Sequence, residues 1–278
     1  MSTLPNFLVI GAGKSGTTSL AAYLDAHPEV FMAHQKEVRF FDRYWHEGLD
    51  WYAAKFAAAE GKSAVGEASP SYLQSLEAPA RVAQALPGVR LIALLRNPVD
   101  RAYSGWTNAH AQGRDPRSFP DAMHDEMAGR DTVGDFRPLY LEGGRYCDLL
   151  TRWTDANPSS PLHVEWFEDL RDRPQEAFAR VCGFLGVDTT HLPRNVGRVY
   201  HASHRFRWEW WRVAMLRWRL WERLPYRVAY RISALNRVRN EQEKMPAALR
   251  AELVDYFRAP NAELAAWLHR PLPADWDR

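Results

Sequence analysis

The chemistry this chain can do is concentrated in a short glycine-rich stretch, Gly11-Ala-Gly-Lys-Ser-Gly-Thr-Thr18. An apolar run, Asn6 to Ile10, precedes it and an amphipathic one, Ser19 to Leu24, follows. Strand, glycine turn and helix in that order aim backbone N–H groups, the Lys14 ammonium and the hydroxyls of Ser15, Thr17 and Thr18 at one point. A helix start carries unsatisfied N–H groups and the positive end of its dipole, so the expected occupant is a phosphate or a similar oxyanion. A turn that merely joined strand to helix would leave Lys14 and the hydroxyl run Thr17-Thr18-Ser19 unexplained.

A second group, Arg96-Asn-Pro-Val-Asp-Arg-Ala-Tyr-Ser104, follows Val89 to Leu95, the most strand-like segment of the chain. Pro98 suits the first position of a helix. Ser104 then stands about two turns beyond Arg96, on the face of Arg101. A guanidinium fork with a hydroxyl holds a phosphate well, and open α/β sheets bind ligands at the carboxyl ends of their strands. Alone the group is weak, because arginines near strand ends are usually solvated. A third group, Lys36-Glu37 before Phe40-Phe41, reads from composition as a surface ion pair ahead of buried rings.

The elements that must position these groups alternate along the chain. Phe7 to Ile10, Val30 to Met32, Ser63 to Glu67, Val89 to Leu95 and Pro161 to Phe167 read as strands. Helical patterns fall between or after them, at Ala78 to Leu86, Pro98 to about Ala111, Tyr146 to Trp153 and Gln175 to Leu185. The Gly-, Pro- and Asp-rich stretch Gly113 to Pro138 reads as loop with one short helix near Pro120 to Met127. Strands alternating with helices predict an α/β fold with a mainly parallel sheet. The tail, Pro246 to Trp276, reads as two amphipathic helices.

Bulk properties narrow the class. The chain has 278 residues, 46% hydrophobic and 25% charged, as in an ordinary globular protein. A net charge of +2 gives no reason to expect nucleic acid. Two cysteines, Cys147 and Cys182, make neither a disulfide framework nor a metal-ligand set. There is no signal-peptide pattern and no run long enough to span a bilayer. A reducing, cytoplasmic location is the expectation.

The glycine loop also lacks the full Walker pattern, whose first glycine would fall at Leu8. The strand Leu91 to Leu95 ends in Arg96 and not in a carboxylate, so magnesium ligands are missing. A P-loop kinase is therefore the second functional reading. A non-catalytic, membrane-associated binding module is the third.

Taken together, these segments resemble the PAPS-dependent sulfotransferases. The similarity is greatest to the branch of heparan sulfate N- and O-sulfotransferases and their bacterial members. The first loop resembles that family's 5′-phosphosulfate loop, and Arg96 to Ser104 its R-x-P-x-x-R-x-x-S motif. A K-E-x-x-F-F motif matches Lys36 to Phe41, and E-x-S-P-x-Y matches Glu67 to Tyr72. Gly144-Arg-Tyr146 with Arg152-Trp153, and Glu168-Asp-Leu170, complete the order over about Phe7 to Gly186.

The resemblance implies a P-loop-like three-layer fold with a helical C-terminal extension, and residues 1–278 as one sulfotransferase domain. It implies sulfuryl transfer from PAPS, without a metal, to a hydroxyl (ahead of an amine) of a carbohydrate, glycolipid or small metabolite. Glu37 becomes the base and Lys14 the leaving-group lysine. Ser15, Gly16, Thr17 and Thr18 cradle the 5′-phosphosulfate, while Arg96, Ser104 and Arg205 reach the 3′-phosphate. Lys36, His34, Ser69 and Pro70 are assigned to the acceptor side. Ala68 stands where several sugar-polymer members carry lysine, which weighs against a highly anionic glycan.

The segment from Arg205 to Arg239 holds ten arginines against two glutamates, interleaved with tryptophans. Arg212, Arg219, Arg223, Arg227 and Arg231 predict a basic helical stripe, with Trp211, Trp218 and Trp221 on another arc and Pro225 ending the first helix. Docking over the domain ranks first, because Arg207 and Arg217 fall near the tryptophan arc. Peripheral contact with an anionic membrane, at its inner face, ranks second, and a dimer contact third.

Overall fold

In a computed structural model the described residues are 3–35, 37–130, 132–133, 137–198, 200, 204–206, 237–239 and 245–278. In chain order, β1 (Phe7–Gly11) is followed by α1 (Thr17–Asp25), β2 (Val30–Met32), α2 (Gly48–Ala53) and β3 (Ala64–Ala68). Then come α3 (Ala78–Ala85), β4 (Arg90–Leu95), α4 (Pro98–Ala111), α5 (Phe119–Met127) and α6 (Tyr146–Ala156). The remainder is β5 (Leu162–Trp166), α7 (Phe167–Asp172), α8 (Pro174–Leu185), β6 (His204–Phe206), β7 (Arg237–Arg239) and α9 (Ala247–Leu268).

β1 to β5 form one sheet in the order β2-β3-β1-β4-β5, every neighbour parallel. Its central strands are apolar throughout because both faces are covered. Phe7, Val9, Ile92 and Leu94 face α1, α7 and α8. Leu8, Ile10, Leu91, Ala93 and Leu95 face α3, α6 and the end of α9. This is the three-layer arrangement predicted from the strand–helix alternation.

The outer strand β5 is tied to α8 by an ion pair. Glu165, 1% exposed, accepts from Arg180 Nε at 3.0 Å and Nη2 at 2.9 Å, and from the Trp166 N–H at 3.0 Å. Arg180 Nη2 also donates to Asp169 on α7 at 2.9 Å.

Two regions differ from the sequence reading. The tail forms one helix, α9, which passes through Pro260. An interior proline costs about 3 kcal/mol. Burial of Leu249, Leu253 and Phe257 on one side of it, and Leu264 on the other, outweighs that cost. Secondly, Arg205 lies in a strand, not at the start of a helix. β6 pairs antiparallel with β7, matching Arg205 with Val238 and Phe206 with Arg237, so both ends of the tryptophan–arginine segment meet. Phe206 and Val238 are strand-favouring types. The helix expected between them lies outside the described residues, and no described helix is long and apolar enough to cross a membrane.

Candidate active site

Because β1 to β5 are parallel, the chain leaves each strand at the same edge of the sheet. The loops after β1, β2, β3 and β4 therefore carry Lys14, Glu37, Ser69 and Arg96 to one edge, where such sheets place ligands.

The glycine loop is built as an anion cradle. Gly16, at φ 85°, caps α1 in a left-handed conformation that glycine adopts without cost. Gly11 packs against Leu73 so closely that a Cβ there would lie 2.5 Å from the Leu73 Cβ. The first intrahelical donors are Ser19 and Leu20, both to the Gly16 carbonyl. The N–H groups of Thr17 and Thr18 precede them and have no intrahelical acceptor. Ser15 is fully buried, and among the described residues its Oγ has no hydrogen-bond partner. A buried orphan hydroxyl costs free energy unless a ligand engages it, so the cradle fits a phosphate-type oxygen.

Arg96 joins this cradle. Its Nη1 donates to the Lys14 carbonyl at 3.2 Å, and its guanidinium lies 4.7 Å from the centroid of the Phe167 ring. Burial pushes its pKa down, although Asp100 and Glu168 act in the opposite direction. Among the described residues no carboxylate forms an ion pair with it. A desolvated cation against a carbonyl and a ring is electrostatically suited to an incoming anion.

The Arg96 backbone is fixed from several sides. Tyr146 donates its hydroxyl to the Arg96 carbonyl at 2.8 Å, and Glu168 accepts from the Asn97 N–H at 2.9 Å. Asn97 caps α4 through its Oδ1 and donates from Nδ2 to the Asp275 carbonyl. Trp276 packs between Tyr146 and Trp166. Arg101, in contrast, turns away from this edge and donates to the carbonyls of Tyr140 and Leu139.

The Glu37 loop is strained. Glu37 and Arg39 both have positive φ, 54° and 55°. For non-glycine residues that costs about 1–2 kcal/mol each. Phe40 and Phe41 are fully buried, and Phe40 stacks on Tyr52 at 4.4 Å between centroids. Burying two such rings contributes roughly 2–3 kcal/mol each, enough to hold the loop down despite the strain. Arg39 pairs with Asp42 at 2.7 Å, and Arg81 donates to the Phe41 carbonyl at 2.8 Å. Glu37 itself is half-buried.

Beneath this loop lies Glu67, 1% exposed, at the end of β3. Three hydroxyls donate to it: Ser69 at 2.6 Å, Tyr72 at 2.6 Å and Tyr52 at 3.3 Å. Burial pushes its pKa up to about 7, with the three hydroxyls pulling back only part of the way. Ser69 Oγ in turn accepts the Arg39 N–H at 2.9 Å, and the Tyr72 hydroxyl accepts the Phe41 N–H at 3.4 Å.

The acceptor-side candidates divide. His34 is exposed and meets Phe31 edge-on at 5.3 Å, and Pro70 is half-buried at the start of the turn Pro70–Gln74. Ser69 is fully buried with its hydroxyl engaged below the loop, so it does not present itself to an acceptor. Ser104 is half-buried on α4, whose backbone lies beside β6, the strand that carries Arg205. Lys36 and residues 201–203 lie outside the described residues.

Sequence reasoning assigned no role to Glu67, Tyr52, Asn97, Phe167 or the tail residues Asp275 and Trp276. Glu67, Tyr72, Tyr146 and Glu168 did stand in motifs, and that was the only signal for them.

The glycine loop and Arg96 thus bring helix-start N–H groups, the Ser15 hydroxyl and a guanidinium together at one edge of a parallel sheet. A family model described as the sulfotransferase domain matches residues 4–235, and the chain belongs to that family. Over 286 aligned residues it is 30% identical to the bifunctional heparan sulfate N-deacetylase/N-sulfotransferase 3 of Mus musculus, covering 98% of this chain and 31% of that protein. The chain therefore spans less than a third of that relative's length. It is 36% identical over 132 residues to the membrane-associated sulfotransferase kil1 of Dictyostelium discoideum, covering 44% of this chain and 28% of that protein. A sulfotransferase structure from Alicyclobacillus acidocaldarius aligns at a TM-score of 0.74 with 26% identity, covering 99% of this chain and 100% of that one.

Proposed function

We propose that this chain transfers a sulfuryl group from PAPS to a hydroxyl, ahead of an amine, on a carbohydrate, glycolipid or small-metabolite acceptor. Residues 1–278 act in this reading as one sulfotransferase domain. The observation that carries it is the junction of two anion-binding elements, with Arg96 donating to the Lys14 carbonyl beside the orphan Ser15 hydroxyl. A donor with a 5′-phosphosulfate and a separate 3′-phosphate matches two such elements better than a nucleoside triphosphate does.

In this mechanism the loop N–H groups and the hydroxyls of Thr17 and Thr18 hold the 5′-phosphosulfate. Arg96 and Ser104 hold the 3′-phosphate, joined by Arg205. Glu37 takes the acceptor's proton as its oxygen or nitrogen attacks sulfur in line. Lys14 stabilises the charge that builds on the bridging oxygen of the leaving diphosphoadenosine. Lys36 steadies the transferring group, with His34 and Pro70 toward the acceptor. Ser69 acts from below the loop and not on the acceptor. These residues meet the charge and proton demands of the step by themselves.

The amine reading draws support from the relative's name, which includes an N-sulfotransferase. A glucosamine-containing oligosaccharide offers both acceptor types, and NMR of the product identifies the sulfated atom. The tryptophan–arginine segment and the name of kil1 support peripheral membrane contact for a cytoplasmic protein. Liposome sedimentation with and without anionic lipid tests that contact, and no binding at low salt removes it. The donor is tested by thermal shift. Stabilisation by 3′,5′-diphosphoadenosine without an effect of ADP plus magnesium is the expected outcome, and the reverse pattern returns the kinase reading.

A further inference from the structure

We propose that Glu67 is a positioning residue for the Glu37 loop: by accepting the hydroxyl protons of Ser69 and Tyr72, it makes both hydroxyls acceptors for the N–H groups of Arg39 and Phe41. The inference rests on the reading of Glu37 as the base.

The direction of each hydrogen bond carries the argument. A hydroxyl has one proton and two acceptor sites. Glu67 lies 2.6 Å from both the Ser69 and the Tyr72 oxygen, and in its carboxylate form, which it takes above about pH 7, it can only accept. Each hydroxyl proton is therefore directed down toward Glu67. Each oxygen is left facing upward with its acceptor sites, where Arg39 N–H sits at 2.9 Å and Phe41 N–H at 3.4 Å. Tyr52 supplies a third donor at 3.3 Å and stacks on Phe40, so it braces the carboxylate and the loop together.

The loop needs such a hold. Glu37 and Arg39 occupy left-handed backbone conformations that side-chain-bearing residues avoid, and they persist only where surrounding contacts over-determine them. The two anchored amides, Arg39 and Phe41, lie two and four residues beyond Glu37. Phe40 and Phe41 fix the loop's depth in the core, whereas the two N–H contacts fix its rotation, and with it the direction of Glu37. Nearby charge is limited: Asp42 on the loop acts on Glu67 in the same sense as burial. Among the described residues Glu67 has no basic partner, and a buried carboxylate so placed is an expensive way to stabilise a fold. Its position under the loop fits a role in placing the base.

Glu67→Gln keeps the shape but turns one oxygen into a donor, and Tyr72→Phe removes a single hydroxyl. Both variants, with Glu37→Gln as control, are measured by amide hydrogen exchange and by turnover of PAPS with a glucosamine-containing oligosaccharide. In Glu67→Gln and Tyr72→Phe the Arg39 and Phe41 amides should exchange at least ~10-fold faster, with β1 and β4 unchanged. Their kcat should fall about ten-fold at an unaltered KM for PAPS, without a drop in Tm for Glu67→Gln. Wild-type exchange and kcat in both variants overturns the inference, and so does a fall in Tm with kcat per folded molecule intact. If Glu37→Gln turns over like wild type, the base reading itself fails. The exchange rates then still decide whether Glu67 holds the loop.

Discussion

Glu67 and Glu165 are both 1% exposed, and both sit near the carboxyl ends of strands in one sheet, yet the fold treats them in opposite ways. Glu165 meets a guanidinium. Burial pushes its carboxyl up, but hydrogen bonds from His163 and Arg180, with the Arg180 charge, hold it down to about 2. Among the described residues Glu67 meets three hydroxyls and no cation, and burial leaves it at about 7. One carboxylate ties α8 to the outer strand β5, while the other lies under the loop that carries Glu37.

The sharpest way to break the comparison is pH. Glu67's folded value lies above its ordinary 4.5, so its contribution to stability is full below about 4.5 and lost as pH rises through about 7. Glu165's lies below 4.5, so its contribution is present above about 4.5 and lost as pH falls through about 2. Each shift corresponds to about 3 kcal/mol. Urea unfolding across pH should therefore show Glu67→Gln flattening the neutral limb and Glu165→Gln the acid limb. The same limb flattened by both variants would end the distinction.

Next in size is Arg180→Ala, which leaves Glu165 buried with His163, the Trp166 N–H and the charge of Arg270. Part of Arg180 is exposed, so the loss should be about 2 kcal/mol, below that of a fully buried pair. Tm should fall while turnover per folded molecule stays at the wild-type level. Smaller in free energy is Arg96→Ala on the working side. It should weaken 3′,5′-diphosphoadenosine by about ten-fold, or roughly 1.4 kcal/mol, and 5′-AMP far less. Equal loss of both nucleotides would take Arg96 off the 3′-phosphate.

The sheet was legible because its strands are buried on both faces, so Phe7 to Ile10 and Leu91 to Leu95 appear as unbroken apolar runs. The strand, glycine turn and helix start around Gly16 were legible from the glycines and hydroxyls after an apolar run. Contacts between distant parts of the chain were not. Arg96 and Lys14 are 82 residues apart, and Glu67 reaches Tyr52 across 15, so no local pattern links them. Ser69 was expected to face the acceptor because a motif gives order along the chain but not the side of the turn. The tail read as two amphipathic helices, whereas α9 runs on through Pro260, because the burial that offsets the local proline cost comes from packing on α9's neighbours.

The central claim, that Glu37 and Lys14 flank a sulfuryl transfer, is tested most directly in Glu37→Gln. Calorimetric binding of 3′,5′-diphosphoadenosine and release of that product from PAPS are measured in the same preparation. The account predicts an unchanged Kd with turnover reduced by ~10²-fold or more. Turnover near the wild-type rate would contradict it.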